Sequence, residues 1–491
     1  MKVLVAGFNV DRDSLEELAL ASPGEIALTP ETIPAAYARI SRDPRPVNEL
    51  RQQARQELER VRQSNRTIVF EMGHSSIAEH AVFNLDIIGV SRLLAEEIEK
   101  FRLVSYTEKS QRYVLLTDDF VLPEEIAQTG LAGDFRNLIA RQNRLYNDLY
   151  LKLRDLIIGK YPSEALRPNS LTTLEGWAKE DARYILALAT ETQLGMTINA
   201  RSLELMLRRL AAHPWQEARS LAEQLYQATY PIAPSLIRYA KATDYDRLTR
   251  AELADSCRSW RGGGVSAAVD LPGAEEVVLI SATPGGDDRV LAALIHSSTQ
   301  KTLSSCLSLV EGLDRQAKVD LFKTACRHMK AYDPVLREFE YGDFLFEVTI
   351  SASCYAQLKR HRMTTITCQD YDPNLGVTIP PGIAEAGLPG PFLEMVKETE
   401  ELYRRIEKVT PTAAGYILTN AHRRRVALKV NARELYHMAR LRADRHAQWD
   451  IRQLVEKMLC LAREAMPLTM FLAAGKDDFS RLYEGIYGNQ P

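Results

Sequence analysis

The chain has 491 residues, 45% of them hydrophobic and 26% charged, with a formal net charge of −3. That length exceeds one ordinary core and predicts two domains of roughly 200 or more residues. The near-balanced charge gives no global field for a nucleic acid or an anionic membrane, so any anion site must be assembled from local arginines.

In chain order, Met1-Lys2-Val3-Leu4-Val5-Ala6-Gly7 reads as a first strand, and Asp11, Arg12 and Asp13 follow too soon for a secretory h-region. No stretch reaches the roughly 18 consecutive apolar residues of a transmembrane helix. Gly73-His74-Ser75-Ser76-Ile77-Ala78-Glu79-His80 comes next. Its His-x5-His spacing would suit a metal, but no third ligand is evident, and capping at a helix start fits the same residues. Phe83-Asn84-Leu85-Asp86-Ile87 alternates apolar and polar, as a half-buried strand does. A passage rich in charge follows, Lys100-Phe101-Arg102-Leu103-Val104-Ser105-Tyr106-Thr107-Glu108-Lys109-Ser110-Gln111-Arg112. Asn199-Ala200-Arg201 then opens a helical pattern.

From Thr243 to about Pro272 the chain is charged and then glycine-rich, with Gly262-Gly263-Gly264, a composition suited to a linker. Val277-Val278-Leu279-Ile280 restarts the pattern as a strand, and the first half is then heard again. Ala292 to Ser298 matches Ala35 to Ser41, and Phe344 to Ile350 alternates like Phe83 to Ile87, though its outward set is only partly polar. Val335 and Tyr341 stand at the two histidine positions, while Glu340 matches Glu79. Arg360-His361-Arg362 opens the second copy of the charged passage, which runs on to Asp372. Asn431-Ala432-Arg433 precedes a helix with Ile451, Leu454, Val455, Met458 and Leu459 on one face. We read a tandem duplication: residues 1–244, a linker at 245–272, and residues 273–491. All six cysteines, Cys257, Cys306, Cys326, Cys354, Cys368 and Cys460, lie in the second half without a C-x-x-C pair. Reduced thiols in a cytoplasmic protein fit that pattern better than disulfides or structural zinc.

The two charged passages differ in what they keep. The second has the basic head Gln357-Leu358-Lys359-Arg360-His361-Arg362, and the first has the tail Glu108-x-Ser110-x-Arg112. Guanidinium groups beside an imidazole at a helix exit can grip phosphate and an electron-rich ring with forked hydrogen bonds. A solvated basic run would look the same. In an extended segment Glu108, Ser110 and Arg112 would point one way, offering an acceptor, a small donor and a cation, although a surface strand has that pattern too. Arg442 shares the helical face of Leu435 and Met438, so it needs an anionic partner or a ligand, with Asp444 and Asp450 as structural alternatives. His422-Arg423-Arg424-Arg425 reads as a solvated or subunit-facing patch.

Together these motifs resemble the flavin-dependent thymidylate synthases, whose signature is Arg-His-Arg, a serine, then Glu-x-Ser-x-Arg. A Gly-His…Glu-His segment precedes it there, and Asn-x-Arg and an arginine before Ala-Gln-x-x-Ile follow. In this chain His74 to His80, Gly89-Val90-Ser91-Arg92 and Ser105 to Tyr113 match in the first half. Gln357 to Arg362 and Asn431 through Arg442 to Ala447-Gln448-Trp449-Asp450-Ile451-Arg452 match in the second. The resemblance implies two tandem α+β domains, each a mixed sheet packed with helices, and a homodimer imitating the family's tetramer. It implies Gln357, Arg360 and Arg442 on one side of a nucleotide, with Glu108, Ser110, Arg112 and Arg183 on the other. Each half has lost the complementary set: Glu97, Lys100 and Leu210 replace the first group, and Cys368, Asp370, Asp372 and Gly415 the second.

The resemblance further implies FAD held by Ser41, His74, Ser76, Glu79, Arg360, His361, Arg362, Asn431, Arg433 and His437, with no metal. The reaction implied is reductive methylation of dUMP to dTMP, with methylenetetrahydrofolate and NADPH as co-substrates. In it Arg442 would stabilise the ionised uracil and Ser110 would position the base. A flavin-dependent methylase or reductase acting on another pyrimidine nucleotide, and a non-catalytic nucleotide- or flavin-binding relative, remain as alternatives.

Overall fold

A computed structural model describes residues 1–19, 28–116, 118–162, 170–260 and 276–488. Gly262-Gly263-Gly264, where the linker was expected, lie outside the described residues. The preceding charged stretch is a helix, Asp244–Trp260.

Strands β1 (Lys2–Phe8), β2 (Val82–Ser91), β3 (Val104–Glu108) and β4 (Glu191–Asn199) form an antiparallel sheet in the order β1-β2-β4-β3. Strands β5 (Val277–Ala282), β6 (Asp343–Ser351), β7 (Thr365–Cys368) and β8 (Arg423–Asn431) repeat that order as β5-β6-β8-β7. The alternation read from the sequence sets the faces. Phe83, Leu85 and Ile87 are buried while Asn84 and Asp86 face out, and Phe344, Phe346 and Val348 play the inward part in β6. Leu85 lies opposite Met196, and Phe346 opposite Leu428. Gly89 marks the irregularity in the β2–β4 ladder, at φ +75° with the Met1 backbone 3.3 Å from where a Cβ would stand. Only glycine meets both conditions without strain.

Strands β2 and β6 each end on a serine that starts a helix. Ser91 Oγ accepts the Leu94 N–H at 2.9 Å, capping Arg92–Ile98, and Ser351 Oγ accepts the Cys354 N–H at 3.0 Å, capping Ala352–Leu358. Each cap is worth about 1 kcal/mol. Asn199 and Asn431 cap the helices Ala200–Ala211 and Ala432–Arg442 in the same way, each accepting a backbone N–H at 2.8 Å. The expected face of the helix Trp449–Ala465 is buried in full: Ile451, Leu454, Val455, Met458 and Leu459 are all core residues.

The chain forms two compact units, and neither is a continuous stretch of sequence. One comprises Met1–Lys179, Leu186–Val269 and Pro391–Leu418; the other comprises Glu180–Ile185, Asp270–Gly390 and Thr419–Pro491. The first unit therefore takes a segment from the second half of the chain. There Gln142 donates to Thr399 Oγ1 at 2.9 Å and the Trp215 indole to the Thr412 carbonyl at 2.7 Å. The second unit takes six residues from the first half. Trp449 Nε1 and the Gly382 N–H donate to the Asp181 carboxylate at 2.8 and 2.9 Å, and the Ala421 N–H donates to the Tyr184 carbonyl at 3.0 Å.

Candidate functional site

In the second unit, the helix Ala352–Leu358 ends beside the Arg-His-Arg head, and Arg442 is the last residue of the helix Ala432–Arg442. These ends bring three expected residues together. Arg442 Nε donates to His361 Nε2 at 3.1 Å, and an Arg442 Nη reaches the Gln357 carbonyl at 3.4 Å. His361 is buried, and its Nδ1 lies 3.2 Å from a carboxylate oxygen of Glu434. Because Nε2 must accept from Arg442, the imidazole proton sits on Nδ1 and is given to Glu434. Burial pulls the His361 pKa below its ordinary value, and the charge of Arg442 adds to this against the hydrogen bond to Glu434. The ring is therefore neutral at neutral pH. His437 lies edge-on, with ring centroids 5.9 Å apart.

His361, Glu434 and His437 hold ligand atoms within 4.8 Å of one another, a spacing a cation could use. The guanidinium on the same imidazole works against a divalent ion there, since like charges repel strongly in a buried site.

A second group of side chains continues from Gln357. Its Nε2 donates to Gln448 Oε1 at 2.9 Å, and Gln448 Nε2 donates to the Tyr184 hydroxyl at 2.8 Å. Tyr184 in turn donates to Asp450 Oδ2 at 2.8 Å, which also accepts from Ser351 Oγ at 2.6 Å. Tyr184 stacks on Trp449 with centroids 5.6 Å apart. The neighbouring Arg183 is buried, and its carbonyl accepts from Asn420 Nδ2 at 2.9 Å. Arg183 thus lies in the same unit as Gln357, His361 and Arg442, although it comes from the other half of the sequence. Arg360 and Arg362 are exposed at the head of the motif.

The first unit carries Glu108, Ser110 and Arg112. Glu108 ends β3 and accepts from Arg92 and, at 3.2 Å, from Thr192 Oγ1. Burial pulls the Arg92 pKa down, but the charges of Glu108 and Glu96 outweigh it and the net shift is upward. The extended geometry expected for the whole tail stops at Glu108. Residues 111–113 form a turn in which Ser110 Oγ accepts the Arg112 N–H at 3.1 Å, and the Val114 N–H reaches the Ser110 carbonyl at 3.2 Å. A serine side chain closing on the second backbone N–H ahead competes with strand geometry, so alternate residues no longer share a direction.

A carboxylate, a serine and a tyrosine meet in this unit as in the other. Glu217 accepts from the Ser91 N–H and Oγ, both at 2.7 Å, and from Tyr416 at 2.8 Å. Tyr416 comes from the second half of the chain, as Tyr184 comes from the first. Glu97, at the place of Gln357, is instead paired with Lys100 and with His213 at 3.7 Å. Burial raises the Glu97 pKa, but the bond to His213 and the charge of Lys100 prevail and hold it at about 2.

Two residues expected at FAD are tied into ion pairs that recur in both units. Glu79 pairs with Arg201, and Arg433 donates to Glu340 at 2.9 Å and to the Val335 carbonyl at 3.1 Å. Asn431 uses its amide oxygen as a helix cap. Ser41, His74 and Ser76 are exposed in the first unit. His74 stands at the start of the 3₁₀ turn Ser75–His80 without the side-chain capping bond that was expected.

The patch at His422–Arg425 is only partly solvated: Arg423 and Arg425 are half-buried, while His422 and Arg424 are buried. Strand alternation in β8 turns Arg424 inward, where its guanidinium lies 4.2 Å from the Tyr371 ring centroid and 4.7 Å from that of Tyr355, and donates to the Gln369 carbonyl at 2.7 Å. His422 is fully buried, and burial lowers its pKa to about 4. Glu434 and the pairing of Arg92 with Glu108 were missed in the sequence. Glu434 stands at the third position of an asparagine-capped helix, where an acidic residue is ordinary, so only the position of His361 reveals it.

Among the described residues no helix is long and apolar enough to cross a membrane, and all six cysteines are free thiols. A family model described as Thymidylate synthase complementing protein matches residues 26–235 and again 278–468. A UPF0159 protein from Thermoplasma acidophilum is 26% identical over 429 residues, which are 80% of this chain and 84% of the relative. Another, from Chlamydia muridarum, is 25% identical over 411 residues, 80% of this chain and 77% of its own. A flavin-dependent thymidylate synthase from Clostridium tetani is 30% identical over 220 residues, 44% of this chain but 84% of that enzyme. The chain belongs to the flavin-dependent thymidylate synthase family, whose model it matches in two successive regions.

Proposed function

We propose that this chain catalyses the FAD-dependent reductive methylation of dUMP to dTMP, with methylenetetrahydrofolate giving the carbon and NADPH the reducing equivalents. The observation that carries this reading is the joined set Gln357, His361 and Arg442, in a unit that also holds Arg183 and Tyr184 from the other half of the sequence. Residues 1–244 and 273–491 are read as the two synthase-like domains, and the working site as composite: Gln357, Arg360 and Arg442 from one, Glu108, Ser110, Arg112 and Arg183 from the other. A cytoplasmic homodimer would then imitate the four-domain assembly.

The donor set suits FAD. Arg360, Arg362 and His437 are exposed and offer N–H groups to phosphates and ring carbonyls, and the buried side-chain Oε1 of Gln357, without a partner among the described residues, needs a donor from the nucleotide. Bound there, the flavin would supply the redox chemistry. The chain's own residues bind and orient. Arg442, fixed by the neutral His361, places positive charge where the uracil edge becomes negative. Ser110 and Arg112 would hold the base and phosphate; Ser110 has no proposed role as a nucleophile.

Purified protein loaded with FAD is yellow if the reading is right, and releases dTMP from dUMP, methylenetetrahydrofolate and NADPH. A protein that stays colourless after FAD addition is a non-catalytic relative. A yellow protein that turns over another pyrimidine nucleotide but not dUMP overturns the substrate assignment.

A further inference from the structure

The hydrogen bonds that end at Gln357 have only one self-consistent direction. Burial raises the Asp450 pKa while the bonds from Ser351 and Tyr184 lower it; as a carboxylate it only accepts, so the Tyr184 proton goes to Asp450, which is 2.8 Å away. The phenol oxygen is then the acceptor for Gln448 Nε2 at 2.8 Å, which turns Gln448 Oε1 toward Gln357. Gln357 must answer with its Nε2, so its Oε1 is left over. That oxygen is buried and has no hydrogen-bond partner among the described residues. Gln448 is itself buried, and Tyr184 is completely so, so water does not reset the chain. The Tyr184 pKa lies well above its ordinary value, through burial first and the Asp450 charge second, so the phenol keeps its proton. In the first unit Glu97, at the Gln357 position, is committed to His213 and Lys100 instead.

We propose that Asp450, Tyr184 and Gln448 are a positioning chain that fixes the Gln357 carboxamide with its carbonyl toward the ligand, so that this residue selects a nucleotide by a neutral N–H or O–H donor and not by its phosphate. This rests on the reading that the second unit binds a uridylate. On that nucleotide the donors are the ring N3–H and the sugar 3′-hydroxyl. A carbonyl oxygen repels phosphate oxygens, so an amide flipped the other way would have the opposite selectivity.

The test uses the full-length, FAD-loaded protein and calorimetric titration with dUMP, its N3-methyl analogue and its 3′-deoxy analogue. One of the two analogues should bind roughly tenfold more weakly than dUMP, the value of one hydrogen bond, and which one identifies the donor. Tyr184→Phe keeps the ring on Trp449 and removes the link to Asp450, so that discrimination should fall toward unity while competition by inorganic phosphate stays unchanged. Asp450→Asn tests the same point without touching the ring, because an amide at 450 can donate and lets the chain reverse. Side-chain amide resonances of ¹⁵N-glutamine protein, with Gln357 assigned through Gln357→Leu, should shift in both variants. Both variants keeping wild-type discrimination while Gln357→Leu loses it would overturn the proposal, as would an unmoved Gln357 resonance. A protein that binds no dUMP yet shows the resonance shifts would defeat the uridylate reading and leave the positioning chain standing.

Discussion

Asp181 offers the sharpest physical test of how the segment Glu180–Ile185 is held in its unit. Its two carboxylate oxygens accept from Trp449 Nε1 at 2.8 Å and from the Gly382 N–H at 2.9 Å. Burial is the largest influence and raises the pKa; the two hydrogen bonds lower it, Glu180 raises it and Arg183 lowers it, leaving it at about 6 against an ordinary 3.8. The folded protein therefore binds this proton more tightly than the unfolded chain. Stability from this group is present below pH 3.8 and is lost as pH rises through about 6. At about 1.4 kcal/mol per pKa unit, the loss is about 3 kcal/mol. Asp181→Asn removes the titration but keeps only one acceptor oxygen for two donors, at a pH-independent cost of about 1–3 kcal/mol. Unfolding of wild type and Asp181→Asn should be followed between pH 3.5 and 7.5, together with the indole N–H resonance of Trp449. The variant should gain roughly 3 kcal/mol relative to wild type across that range, and the indole resonance should titrate near pH 6. A flat difference curve, or an indole midpoint near 4, would refute the reasoning.

Two further outcomes are expected. Arg92→Met removes the cation from a buried pair and leaves Glu108 with a charge its surroundings were built to balance, so thermal unfolding should show a loss of about 3–5 kcal/mol. Adding Glu108→Gln should recover most of it, and a single-variant loss below about 1 kcal/mol would mean the pair is solvated. On the proposed reading, Arg112→Ala and Arg442→Ala each abolish dTMP formation, while Lys100→Ala and Asp372→Ala stay near wild type and FAD binds once per chain. Equal losses from all four would count against a composite site.

Much of the fold was legible because its signals are local. Alternation in Phe83 to Ile87 and Phe344 to Ile350 assigned the central strands and their inward faces, and the spacing from Ile451 to Leu459 assigned a buried helical face. Local chemistry also misled where a neighbour competed with it. Ser110 turned back on the Arg112 backbone and ended the extended tail. Arg424 looked solvated as one of three consecutive arginines, but a strand must turn every second residue inward, and two tyrosine rings were there to receive it.

By itself the sequence determined the repeated pattern, the central strands with their inward faces and the motifs that mark the family, since each is written within a few positions of chain. Only the tertiary structure decided which side chains share a proton and which segment completes which unit. Tyr184 and Asp450 are 266 positions apart, and Gln142 and Thr399 are 257 apart. The direction of a buried amide depends on the acceptor at the far end of its chain of hydrogen bonds. No spacing along the sequence carries that direction, because folding alone brings the carboxylate to the phenol.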